Sequence, residues 1–113
     1  MASGAISRPI GVTAGWASDL LTKGTNVSKV EGLITTQGRL VCVNIRITFS
    51  GSPSDTETIL TGFPLPFNDQ NICVSKINGY AQECMLTSTG TLRNNWATFN
   101  SGTYVTSFTY LKA

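Results

Sequence analysis

The stretch GRLVCVNIRITF, residues 38–49, alternates apolar and polar positions more regularly than any other part of the chain. Val41, Val43, Ile45, Ile47 and Phe49 share one face of an extended strand, and Leu40, Cys42, Asn44, Arg46 and Thr48 share the other. The first is a core face. The second is apolar at its start and polar beyond, the pattern of a strand covered at one end by a neighbouring subunit.

Further strands are expected over VSKVEGLIT (27–35), TETIL (56–60), NICVSKI (71–77), YAQECMLT (80–87), LRNNWATF (92–99) and TYVTSFTYL (103–111). Turn clusters separate them: SGSPSD (50–55), Asn78-Gly79, STGT (88–91) and NSG (100–102). Residues 1–26 are rich in Gly, Ser, Thr and Ala and carry weak periodicity, so they read as a short N-terminal arm or neck. Within them, WASDLL (16–21) has the makings of one helical turn with Ser18 as its N-cap. The expected architecture is an all-β antiparallel sandwich of about seven strands, jelly-roll-like or related, over residues 27–113.

GFPLPF (62–67) interrupts this series. Proline cannot donate to a ladder and pushes the preceding residue into extended backbone. The run is apolar and lies mid-domain, whereas a proline-reading partner wants exposure and flanking charge. It is expected to be a rigid crossing with Phe63, Leu65 and Phe67 packed inward.

Composition narrows the functional classes. Of 113 residues, 41% are apolar, enough for a core, and only 12% are charged, about half the usual share. The net charge of +2 comes from scattered residues without a basic run, which argues against nucleic acid. No apolar run is long enough to span a membrane, and no signal peptide is apparent at the start. Three cysteines at wide spacing, with no histidine, do not make a zinc site. They read as reduced thiols of a protein made in a reducing cytosol. A Cys73–Cys84 bridge is the alternative. No cofactor or metal is expected.

The lack of histidine also removes Ser-His and Cys-His chemistry. Asp55 and Glu57 are the nearest carboxylate pair, and a solvated turn edge accounts for them. A non-enzymatic protein is expected. The NVS sequon (26–28) has no secretion signal to give it meaning.

In their order, QGRLVCVNIRITF, ETIL, GFPLPF, the NGY hairpin, STGTL and the closing SGTYVTSFTYL resemble the C-terminal head domains of tailed-phage receptor-binding proteins and tail fibres. The resemblance spans residues 29–113. It implies a β-sandwich head, homotrimeric at the tip of a virion tail, made in the bacterial cytoplasm and joined to other tail or baseplate proteins through its N-terminal side. It also implies adhesion to a bacterial cell-surface saccharide. A trimerising cap without ligand and a free-standing β-sandwich lectin are the alternatives.

Saccharide sites pair an aromatic plate with amide or charged groups that fix hydroxyls. Arg93, Asn94, Asn95 and Trp96 offer that combination in four residues. The competing reading, preferred for Trp96, puts the indole in the core and makes Asn94-Asn95 a bulge or turn. Tyr80 past the Asn78-Gly79 turn is a second candidate, equally readable as a packing residue. Asp69 and Gln70, with Asn71, form a polar loop after the proline segment, a turn first and a ligand loop second. Trp16 is expected to pack against a neighbouring subunit.

Overall fold

The computed structural model describes residues 12–113. Its elements are β1 (Val12–Trp16), α1 (Ala17–Leu20), β2 (Thr22–Lys23), β3 (Val27–Gln37), β4 (Leu40–Phe49) and β5 (Thr58–Thr61). They are followed by β6 (Gln70–Lys76), β7 (Ala81–Leu86), β8 (Thr91–Asn94) and β9 (Gly102–Leu111). All nine strands join one antiparallel sheet in the order β1-β3-β4-β9-β6-β7-β8-β5-β2, which curls into a half-barrel. The protein is all-β apart from α1, as expected, but with nine strands in a continuous sheet.

The expected alternation in β4 is realised: Val41, Val43, Ile45, Ile47 and Phe49 are buried, and Leu40, Asn44 and Arg46 are exposed. β4 pairs along its whole length with β3 on one side and β9 on the other. β9 pairs with β6 through only Ser75↔Val105 and Lys76↔Tyr104. The inward residues of β6, β7 and β8 share one core cluster with those of β3, β4 and β9. In the β3–β4 ladder, opposite Ile45, Gly32 takes φ +122°, and a Cβ there would run into the Asn44 carbonyl.

The neck expected over residues 1–26 is, from Val12 onward, part of this sheet; residues 1–11 lie outside the described residues. β1 pairs with β3, β2 pairs with β5, and α1 joins the two opposite edges of the sheet. Ser18 does not cap α1. Trp16 holds the N-cap position and makes no side-chain cap.

The proline segment departs from expectation in its detail. Phe63 and Pro66 are buried, whereas Leu65 and Phe67 are 55% and 61% exposed. A spacing of three between inward residues suits polyproline backbone, with three residues per turn, rather than the two-residue period of a strand. The segment is tied to its surroundings by Phe63 N–H to Gly90 O, Phe67 N–H to Leu111 O and Ala113 N–H to Leu65 O. The Tyr110 hydroxyl donates to Pro64 O at 2.7 Å. Burial pushes that phenol's pKa well above its ordinary value.

Candidate functional site

The strand expected over 92–99 ends at Asn94, and residues 95–101 form a loop. The reason lies in Asn94. Its side chain is fully buried, and Nδ2 donates to Pro53 O, Ser54 O and Ala97 O at 2.9–3.3 Å. Its Oδ1 accepts from Gln82 Nε2 and from the Trp96 N–H, each at 3.2 Å. Gln82, also buried, donates a second bond to Ala97 O. Two buried amides thus take over the backbone bonds that a continuing strand would have made.

The far end of the loop is held as firmly. Phe99 is buried edge-on to Phe49 at 5.0 Å and lies 5.0 Å from Tyr104. The Tyr104 hydroxyl donates to Asn100 O at 2.8 Å, and the Asn100 N–H donates to the Tyr80 hydroxyl at 2.9 Å. Hydrogen bonds from Tyr104 and from the Asn100 N–H hold the Tyr80 phenol below its usual pKa. Desolvation, then the Tyr80 contact, raises that of Tyr104. Between the two anchors Trp96 stands 64% exposed. The core position preferred for it from the sequence is therefore wrong: alternation from Leu92 and Asn94 would have turned it inward, but the strand stops first.

The outer face of β6, β7 and β8 runs beside this loop. Asn71 pairs with Met85, which pairs with Arg93, so the three form one row across the strands. The Arg93 guanidinium lies over Met85, with Nη2 3.6 Å from Sδ, and its buried Nε has no hydrogen-bond partner. In the next row Cys73 pairs with Glu83, whose carboxylate accepts from Asn95 Nδ2 at 2.9 Å. A groove of about 410 Å³ is lined here by residues that include Asn71, Cys73, Ala81 and Glu83.

The structure therefore gathers Arg93, Asn95 and Asn71 on one face, with Trp96 following Asn95 on the adjoining loop. Asn94 is buried and serves the loop, not a ligand. Tyr80 is 43% exposed, and its hydroxyl is occupied in anchoring the loop. Asp69 and Gln70 lie at the start of β6, Gln70 one row beyond Asn71 and so at the end of this face away from Trp96. Asp69 Oδ1 accepts from the Ser88 N–H at 2.8 Å, and Gln70 Nε2 donates to Asn68 O. Both stabilise turns, and neither reaches the Trp96 loop.

Glu83 was missed from the sequence. In AQECML the buried Cys84 and Leu86 set the inward parity, so Gln82 turns inward while Glu83 and Met85 turn outward. Cysteine 73 and cysteine 84 accordingly face opposite sides of the sheet, Cys84 opposite Ile72 and Cys73 opposite Glu83, so no bridge joins them. Among the described residues no group of three or more His, Cys, Asp or Glu side chains is placed to hold a metal ion. No protein-family model and no curated protein matches the chain.

Proposed function

We propose that this chain is an adhesive head of the tailed-phage fibre type, working as a homotrimer and binding a bacterial-surface saccharide on the outer face of β6–β8. The single observation that carries the reading is the exposed Trp96 on a loop anchored at both ends. An indole presents a large apolar area, and leaving it in water on a fixed backbone costs free energy that folding does not recover. A rigid plate of this kind suits the apolar face of a pyranose, and it loses little entropy on binding.

The neighbouring groups supply the polar half of such a site. Asn71 and Asn95 offer amides, Glu83 accepts hydroxyls, and Arg93 donates to them. One acidic and one basic group in adjacent rows suit a neutral or mildly anionic polymer. The site acts by binding and has no chemical step. In this reading the curled sheet is a jelly-roll-like sandwich. One layer is β1-β3-β4-β9, the other β6-β7-β8-β5-β2, and the short β6–β9 joint is their hinge.

The test is a direct titration of the protein with isolated bacterial surface polysaccharides and teichoic acids. Saturable binding to at least one polymer, lost in Glu83→Ala and Asn71→Ala with the fold intact, is expected. No binding to any polymer would leave the trimerising cap as the function.

A further inference from the structure

On the outer face of β5, β8, β7 and β6, Arg93 is a cation for which the fold supplies no counter-charge. Four side chains surround it on that face: Thr91 before it and Asn95 after it along the chain, Met85 opposite on β7 and Thr58 opposite on β5. None of the four is charged. Beyond Thr91 the face stays neutral, because Thr91 stands opposite Thr61, and Thr61 opposite Thr22.

The two carboxylates closest to Arg93 in register are held by other groups. Glu83, on the diagonal, accepts from Asn95 Nδ2 at 2.9 Å. Glu57, next to Thr58, accepts from Asn26 Nδ2 and from the N–H and hydroxyl of Ser54. Among the described residues the one ion pair joins Lys29 to Glu31, so no carboxylate comes within 4.0 Å of the Arg93 guanidinium.

Its donors are left over too. Nη2 has only the Met85 thioether, a weak acceptor, at 3.6 Å, and the buried Nε has no acceptor at all. Enclosing part of a guanidinium without an oxygen or an opposite charge costs free energy. A side chain needed only to cover Met85 would do so better as an apolar one. The charge of Arg93 is therefore unused by the fold.

We propose that Arg93 anchors an oxyanion of the ligand, a phosphodiester or carboxylate borne by the surface polymer. This rests on the saccharide reading above and adds the charge that the polymer must carry. A planar guanidinium offers paired N–H donors to such a group. It lies over Met85, toward Asn71 in the same row, whose amide supplies a further donor.

The test titrates the full chain with wall teichoic acids, uronate-bearing capsular polysaccharides and neutral glucans. At least one anionic polymer should bind about tenfold or more tightly than any neutral one. Carbodiimide–borohydride reduction turns uronates into neutral hexoses and leaves phosphodiesters, so it tells the two sources of the oxyanion apart. Arg93→Met keeps the cover over Met85, and it should weaken the anionic polymer about tenfold or more while the melting temperature holds. Arg93→Lys keeps the charge without the fork, and it should bind at least about threefold more tightly than Arg93→Met. Equal binding by the Lys and Met variants, or a melting temperature about 5 °C or more lower in Arg93→Met, overturns the inference. A neutral polymer bound as tightly as the anionic ones overturns it and leaves the saccharide reading standing; no binding to any polymer removes both.

Discussion

Gln82 Nε2 donates to Asn94 Oδ1 at 3.2 Å, in the interior between β7 and β8, and both amides also bond the Ala97 carbonyl outside the strands. An interior hydrogen bond between two side chains therefore shapes an exterior loop. Asn94→Ala leaves the Trp96 N–H and the Pro53 carbonyl without a partner and takes one bond each from Gln82 Nε2 and the Ser54 and Ala97 carbonyls. Each buried group left unsatisfied costs about 1–3 kcal/mol, and some regain water. We expect a loss of about 3 kcal/mol in urea unfolding, together with faster hydrogen exchange at Trp96. A loss below about 0.5 kcal/mol, the size of an ordinary surface change, would contradict this network.

Gly32→Ala tests the pairing of β3 with β4. The substitution meets both a positive φ and the Asn44 backbone, neither of which a flexible side chain can relieve. The expected cost is about 3 kcal/mol or more in the same unfolding assay. A neutral outcome would mean that the register of β3 on β4 is not as described.

Burial is the largest cause raising the Cys84 thiol from an ordinary 9.0 to about 12, with the nearby Cys73 and Glu83 charges adding to it. The folded state therefore holds a proton that the unfolded chain releases. The stability this confers is complete below pH about 9, and it is lost as pH climbs toward 12. It amounts to at most about 4 kcal/mol. Wild-type protein should lose more stability between pH 8 and pH 11 than Cys84→Ala does. Equal losses in the two proteins would show that Cys84 does not drive alkaline unfolding.

Thiol titration separates the three cysteines. Unfolded protein purified without reductant should yield three thiols, and folded protein should label first at the exposed Cys73, with the buried Cys84 inert. Finding only one thiol would require a bridge between residues that face opposite sides of the sheet.

β4, β9 and the hairpin around Asn78 were legible because each carries its own signal. Alternation marks both strands, and Asn78 takes the left-handed backbone its residue type tolerates, φ 58°. β1 and β2 were not legible. They are edge strands of five and two residues, and their place comes from distant partners, Thr35 opposite Ala14 and Thr61 opposite Thr22. At the candidate site the residue types of Arg93, Asn95 and Trp96 were readable in the sequence. The side each takes was not, because it depends on a strand ending at Asn94, and that ending depends on Gln82 twelve residues earlier. Phe67 was misjudged for a related reason, since two prolines change the period by which inward positions are counted.

The central claim is that Trp96 serves a ligand and not the fold. Trp96→Ala should be measured in one preparation by thermal melting and by adsorption to host cells or their purified surface polysaccharide. The account predicts a stability within about 0.5 kcal/mol of wild type and binding weakened by at least about tenfold, 1.4 kcal/mol. Destabilisation of about 3–5 kcal/mol, the cost of emptying a core position, or undiminished binding would contradict it.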